Sequence, residues 1–229
     1  MADEKGMLVS FTGVDPAFEV EHNEWFNREH IDERALDTPG FFRARRYAAI
    51  EAPIKYFATY ETESWRVLAS PQYLDRVGNQ TEWSRRVIRE LRTLYRMTTR
   101  ITIDAMHGIG GVATAVRFFP SPNAGQQHAL RESLRTTFPT LVKRPGMIGA
   151  CLTENMPEAA NATGDKARAV GGNPMRADRV EWLAVLEGAE AEATTTAAND
   201  VLSLGALQRF GVAQAPVIGT YRFVYGIYR

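Results

Sequence analysis

One spacing occurs twice in this chain and limits the folds that it can adopt. His22 lies 17 residues before Pro39, His128 lies 17 residues before Pro145, and each proline is followed by glycine. Equal spacings of this kind are typical of a structural unit that has been duplicated. The sequence therefore predicts two copies of one unit within a single chain.

Each half contains the same predicted order of elements, which is strand, helix, strand, strand, helix, strand. In the first half the order rests on apolar runs, helix caps and Pro-Gly turns, and the predicted segments are 7–13, 15–36, 41–50, 55–63, 65–94 and 97–105. The order resumes after the glycine-rich segment 108–111. We therefore predict a first repeat at 1–107 and a second, diverged repeat at 108–229. The second contains an inserted Ala-, Gly- and Asn-rich surface loop or flap at about 156–177.

Composition excludes several classes of function. Lys plus Arg and Asp plus Glu are equal at 27 each, so no positive excess favours nucleic acid or an anionic membrane. No apolar run approaches the roughly 18 residues of a membrane span. The single Cys151 rules out an intramolecular disulfide, and the charged start has no apolar signal segment. We expect a cytoplasmic protein.

The helix predicted at 15–36 carries the first candidate site residues. At about 100° per residue, Phe and Trp share one face of this helix with ionisable groups, and the candidates are His22, Trp25, Phe26 and Glu29, with His30 at the edge of the face. A buried carboxylate needs a partner or a function, so this face is predicted to line a pocket. Alternatively, His22 is a structural histidine that bonds a backbone carbonyl.

The strand predicted at 41–50 carries the second group of candidates. Its alternation places Arg43, Arg45 and Tyr47 on one face and Arg46 on the other. An inward arginine beside Tyr47, Tyr56 or Tyr60 would clamp a carboxylate or phenolate, whereas a solvated basic face is the alternative. In the helical region that follows, we expect Trp83 either to cap the pocket or to be part of the core.

The segment HNEWFNREHIDERALDTPGFFRARRY, residues 22–47, resembles the signature region of the small EthD-like and related stress-response-type proteins. These proteins belong to the dimeric α/β-barrel superfamily of ferredoxin-like domains. The resemblance implies an α+β fold of two tandem ferredoxin-like βαββαβ repeats that form a pseudo-dimer within the chain. It leaves a homodimer open, because in many members two identical chains pair their sheets. The superfamily includes cofactor-free lyases, isomerases, cyclases and monooxygenases as well as haem proteins.

The function expected from these observations is that of a cofactor-independent lyase or isomerase in aromatic catabolism or secondary metabolism. Its substrate would be an aromatic or conjugated, oxygenated small molecule. His22 would act as acid or base with Glu29 or His30, and Arg45 or Tyr47 would hold developing negative charge. The alternatives are a cofactor-free monooxygenase of a phenol, and a non-catalytic carrier of a small ligand or haem. We expect no metal site, because the histidines lack the H-E-x-x-H spacing.

Overall fold

A computed structural model describes residues 4–169 and 180–229, and a closed antiparallel barrel organises these residues. Within them, eight strands form the barrel in the order β1-β3-β2-β8-β5-β7-β6-β4. The strands are β1 (Gly6–Val14), β2 (Phe41–Glu51), β3 (Tyr56–Thr62), β4 (Leu91–Met106), β5 (Val112–Phe118), β6 (Met147–Asn155), β7 (Trp182–Gly188) and β8 (Val217–Tyr228).

The strand order is the same in the two halves of the chain. The first half contributes β4-β1-β3-β2, the second contributes β8-β5-β7-β6, and the halves join where β2 pairs with β8 and β4 pairs with β6. Both joining pairs are antiparallel. The predicted α+β class is confirmed, and strands of both halves are needed to close the barrel.

Helices cover the outer face of the barrel. In the first half they are α1 (Glu19–Trp25), a π-helical turn (Phe26–His30), α2 (Ile31–Ala35), α3 (Pro71–Gly78) and α4 (Glu82–Arg89). In the second half they are α5 (Ala124–Leu141), α6 (Pro157–Ala169), α7 (Ala191–Leu202) and α8 (Leu204–Leu207). Short 3₁₀ turns lie at Pro16–Phe18, Trp65–Ala69 and Gln208–Phe210. Each half thus has its own apolar core between helices and sheet, and a third core fills the barrel.

The barrel interior contains an ion cluster among apolar side chains. Arg45 pairs with Glu61 of β3 at 2.9 Å and with Glu187 of β7, while Arg43 pairs with Glu61 at 2.5 Å. The hydroxyl of Tyr47 donates to Glu187 at 2.8 Å. The face of β2 that carries Arg43, Arg45 and Tyr47 therefore points into the packed barrel, where the interior carboxylates satisfy its charges.

Two segments differ from their predicted secondary structure. The segment predicted as a loop begins with helix α6, because Pro157 suits the first turn and the alanines that follow favour a helix. Its remaining residues, 170–177, lie outside the described part of the chain. Strand β4 begins at Leu91, within the segment predicted as helical, and pairs with Val14 of β1 there.

In the part of the chain that the structure describes, the helices are too short or too polar to cross a bilayer.

Candidate functional site

A cleft opens between the helices of the first half and the outer face of its sheet. It encloses a cavity of about 80 Å³, and the whole opening, with the adjoining solvent included, measures about 760 Å³. Its walls are mainly apolar, with side chains from β1, β3, β4 and the four helices of this half. The polar side chains among them are Ser10, Thr12, His22, His30, Arg34, Tyr60, Gln80 and Arg96.

The π-helical turn determines which side chains reach the cleft from the long helix. The backbone N–H of Ile31 donates to the carbonyl of Phe26, five residues earlier, so this turn holds one residue more than an α-helical turn. The extra residue rotates the side chains that follow relative to an ideal α-helix. His30 consequently lines the cleft, whereas Glu29 is directed to helix α4.

His22 is fully buried and interacts with Arg46 and Asn23, and the contact with Arg46 assigns its tautomer. Arg46 Nη2 lies 3.2 Å from His22 Nδ1. Because a guanidinium only donates, Nδ1 must accept and the proton of the neutral ring is on Nε2. Burial, followed by the charge of Arg46, lowers the pKa of His22 to about 4, so the ring is neutral at pH 7. His22 Nε2–H is thus a buried donor that has no acceptor among the described residues.

His30 is a neutral imidazole in an aromatic setting. Its ring lies over the indole of Trp25 with centroids 4.3 Å apart, and edge-on to the ring of Tyr60 with centroids 6.0 Å apart. Burial lowers the pKa of His30 well below its ordinary value, and the charges of Arg34 and Arg96 lower it further. Its Nδ1 has no partner among the described residues.

Tyr60 contributes a third buried polar atom without a partner. It lies on β3 facing the cleft, and its hydroxyl forms no hydrogen bond in the described part of the chain. Burial raises the pKa of Tyr60, so the phenol keeps its proton. This hydroxyl is therefore available as a donor to a bound molecule.

Glu29 has a structural role in this arrangement. Its carboxylate accepts hydrogen bonds from Thr81 at 2.6 Å and from Ser84 at 3.1 Å. Ser84 in turn accepts from the indole N–H of Trp25 at 3.0 Å. These bonds attach α4 to the π-helical turn and fix the orientation of Trp25 in the cleft wall.

The structure brings together only part of the predicted site. The cleft is lined by His22, Trp25, Phe26, His30 and Tyr60. Five other predicted residues lie elsewhere: Glu29 on the α4 side of the helix, Trp83 half-buried against the first-half core with its indole N–H bonded to Glu21, and Arg43, Arg45 and Tyr47 in the barrel.

Two arginines of the cleft were not predicted. Arg34 follows His30 by four residues on the same helix, and that spacing was a signal that could have identified it. Arg96 lies just before the segment predicted as a strand, so its face could not be assigned from the sequence. The strand β4 in fact includes Arg96 and places it in the cleft wall.

The corresponding space in the second half is filled by apolar side chains. The core there consists of large side chains from α5 and the sheet, including Phe118, Leu130, Phe138 and Trp182. His128, which corresponds to His22 in the sequence spacing, is exposed on α5. That only the first half carries a site remains a prediction. The packed apolar core of the second half is consistent with it.

No protein-family model matches the sequence, and no protein of curated function matches it either. Solved structures do match over nearly the whole chain. An anthrone oxidase-like protein has a TM-score of 0.63 at 13% identity, covering 99% of this chain and 93% of the other. A protein from Fusobacterium nucleatum described as a candidate monooxygenase has a TM-score of 0.64 at 9% identity, covering 100% and 96%.

A haem-binding protein from Thermus thermophilus has a TM-score of 0.53 at 9% identity, covering 97% of this chain and 92% of the other. At these identities the likeness shows the fold alone. It is consistent with the predicted dimeric α/β-barrel fold, and the reaction must be argued from the cleft.

Proposed function

We propose that this protein is a cofactor-independent enzyme that moves a proton on an aromatic or conjugated, oxygenated small molecule, as a lyase or isomerase does. One observation carries the proposal. Three buried polar atoms, His22 Nε2, His30 Nδ1 and Tyr60 Oη, have no partner among the described residues and belong to side chains of one apolar cleft. A buried polar group without a partner costs free energy, which a substrate oxygen or proton would recover.

Because of its tautomer, His22 is proposed as a hydrogen-bond donor rather than as the acid or base that was expected from the sequence. His22 presents an N–H, so it acts as a donor to a substrate oxygen together with the hydroxyl of Tyr60. His30 is neutral and has one ring nitrogen with a lone pair, so it acts as the base. Trp25 and Phe26 provide flat apolar walls on which a conjugated ring packs.

The proposed reaction begins when His30 removes a proton from the substrate. The electron pair delocalises onto the substrate oxygen, where His22 and Tyr60 donate hydrogen bonds to the developing oxyanion. His30 then returns the proton to another atom of the conjugated system, which is isomerisation, or to a leaving group, which is elimination.

Oxidation without a cofactor is a second candidate, favoured by the names of the structural neighbours and by the apolar cleft. The first step would be the same, but the delocalised anion would react with O₂. For a methylene group flanked by conjugated rings, the balanced reaction converts CH₂ plus O₂ to C=O plus H₂O. Consumption of oxygen separates this reaction from isomerisation or elimination.

Haem fits the cleft poorly. A histidine that binds iron presents a lone pair to the metal and usually donates its other N–H to an acceptor. His22 has the opposite arrangement, since Nδ1 accepts from Arg46 and the proton is on Nε2. His30 has no acceptor for a ring N–H among the described residues, and His107 and His128 are exposed.

The test uses anthrone, a conjugated ketone with an acidic methylene group, under anaerobic conditions in D₂O. We expect the protein to accelerate exchange of the methylene protons and His30→Gln to lower the rate at least 100-fold. The melting temperature should change by only a few degrees, because His30 forms no hydrogen bond within the described chain. The matched control is His128→Gln, an exposed histidine, which should keep the full rate.

Retention of the exchange rate in folded His30→Gln would refute the proposed role of this residue. Uptake of one O₂ per anthrone in air, with formation of anthraquinone, would favour the oxidative candidate.

Further proposals accompany this function: EthD-like ancestry, tandem duplication into a pseudo-dimer with repeats 1–107 and 108–229, and a cytoplasmic location. The similar strand orders of the two halves support the duplication.

A further inference from the structure

The cleft contains cationic side chains without counterions. Arg34 and Arg96 line the cleft, and Arg46 lies behind the ring of Phe26. In the described part of the chain, none of the three arginines forms an ion pair with a carboxylate, although many surface arginines do. A charge without a counterion costs desolvation free energy beside an apolar cleft, so we expect each of these arginines to have another stabilising partner.

Contacts with neighbouring protein groups stabilise the charge of Arg46. Its guanidinium lies between the rings of Phe26 and Tyr56, at 4.3 and 4.4 Å from their centroids. It donates to Asn23 at 2.7 Å and to Asn27 at 3.1 Å, besides the bond to His22. These contacts make Arg46 a positioning residue that fixes the His22 tautomer.

Arg34 and Arg96 have fewer stabilising contacts than Arg46. Arg34 is only 5% exposed, its Nη1 has no partner, and its contact with the ring of Tyr73 is at 5.8 Å. Arg96 Nη2 donates to the hydroxyl of the same Tyr73 at 2.6 Å. Two like charges therefore lie on either side of the Tyr73 side chain, and each repels the other.

The neighbouring carboxylates balance the charge of this pair only in part. Glu29 is bound to Thr81 and Ser84. Glu33, next to Arg34 in sequence, forms no ion pair with it among the described residues; burial raises the pKa of Glu33, and the charge of Arg34 acts in the opposite direction. A bound anion would remove the repulsion and supply an acceptor for the free N–H groups of Arg34.

We propose that the substrate of this cleft is an acid, and that Arg34 and Arg96 bind its carboxylate while the conjugated part of the molecule packs against Trp25 and Phe26. This inference rests on the proposed function, because it names the substrate class for the same cleft. The planar guanidinium matches a carboxylate with two parallel hydrogen bonds. The carboxylate also serves catalysis, since a negative charge near His30 makes its imidazole a stronger base.

The experiment compares two probes of the same shape, 2-naphthoate and the uncharged 2-naphthamide, by calorimetric titration of the intact protein. We expect 2-naphthoate to bind at least tenfold more tightly. Arg96→Met and Arg34→Met should each remove most of this preference, and Arg34→Lys should keep part of it. The matched control is Arg92→Met on the same strand, where the arginine is exposed and pairs with Asp15 at the surface.

Several outcomes would overturn the inference: equal affinity for the two probes, binding of neither, or an unchanged preference in folded Arg96→Met. Arg96 is half-buried, so this variant tests the inference even where Arg34→Met does not fold. The test is independent of the proposed reaction, because anthrone carries no carboxylate and 2-naphthoate has no acidic C–H group for a base to deprotonate. A variant His30→Gln that binds 2-naphthoate normally but fails to exchange anthrone protons would support both proposals separately.

Discussion

Among single residues, Tyr47 and Tyr60 show how one residue type takes opposite roles on two faces of a sheet. Both side chains are almost completely buried. The hydroxyl of Tyr47 donates to Glu187 inside the barrel, whereas the hydroxyl of Tyr60 has no partner in the described chain. The first hydroxyl stabilises the fold, and the second costs stability and is available to a ligand.

Replacing each tyrosine by phenylalanine should separate these roles. We expect Tyr60→Phe to leave the free energy of unfolding unchanged or to raise it by about 1 kcal/mol, because a buried unpaired hydroxyl is removed. Its rate of anthrone proton exchange should fall about 100-fold, as for loss of an oxyanion donor. Urea denaturation and exchange in D₂O measure the two quantities.

The control for this prediction is Tyr47→Phe, which removes a hydrogen bond to a buried carboxylate. It should lower the free energy of unfolding by about 1.5–3 kcal/mol and leave the exchange rate unchanged. The opposite pattern, with stability lost in Tyr60→Phe and activity lost in Tyr47→Phe, would place the reactive site inside the barrel.

His22 should produce a measurable dependence of stability on pH. Its folded pKa of about 4 lies below its unfolded value, which is about 6.5. The unfolded state therefore takes up the proton first, and stability falls as the pH drops from about 6.5 towards the folded pKa. Integration gives a loss of about 2–3 kcal/mol between pH 7.5 and pH 4.5.

The measurement is urea denaturation of wild type, His22→Gln and His128→Gln across this pH range. For His22→Gln, the acid-induced decrease in the free energy of unfolding should be about 2–3 kcal/mol smaller than for wild type. His128→Gln should follow wild type because His128 is exposed. Parallel curves for wild type and His22→Gln would mean that His22 is not buried in the neutral form.

At the scale of elements, the alternation of β2 distributes its arginines between two different environments. Arg43 and Arg45 enter the ion cluster of the barrel, and Arg46 turns to the helices. The cluster also joins the two halves, since Glu187 belongs to β7 and its second oxygen accepts from the backbone N–H of Gly110 at 3.0 Å. This buried ion cluster is therefore part of the interface between the halves.

Removing one charge from this cluster should destabilise the protein strongly. We expect Glu187→Gln to lower the free energy of unfolding by about 3 kcal/mol or more, because buried Arg45 loses a counterion. The control is Arg144→Met, which breaks an exposed pair with Asp200 and should cost less than about 1 kcal/mol. Similar, small losses in the two variants, measured by urea denaturation, would contradict the account of the cluster.

For the whole molecule, closure of the barrel makes each half depend on the other. The interior core combines side chains from both halves, for example Phe57 and Tyr221, whose ring centroids are 5.3 Å apart. The edges of the first-half sheet are β2 and β4, and both are covered by strands of the second half. An isolated half would expose these edges and one face of its sheet.

We therefore predict that a fragment of residues 1–107 does not fold as a monomer. It should be unfolded or self-associated, as judged by circular dichroism and sedimentation, and the intact chain should unfold in one transition by both fluorescence and circular dichroism. A monomeric fragment with a cooperative melt would show that the first half is an independent domain.

Much of the fold and part of the site were predictable from the sequence. His22, Trp25, Phe26 and His30 could be grouped because they lie on one helix, where periodicity relates neighbours directly. The π-helical turn was not predictable, and it moved Glu29 away from this group. Arg96 was missed because its partners come from β1 and α3, which are distant in sequence.

The order of the strands could be predicted from the sequence, because periodicity, caps and Pro-Gly turns are local signals. Which face of β2 and β3 meets the cleft depends instead on how the barrel closes. Both faces of these strands are buried, one under helices and one inside the barrel. The alternation of polar and apolar residues therefore does not distinguish the helix side from the barrel interior. The long-range pairing of β2 with β8 and of β4 with β6 directs Arg45 and Tyr47 inward, and leaves Arg46 and Tyr60 for the helix side.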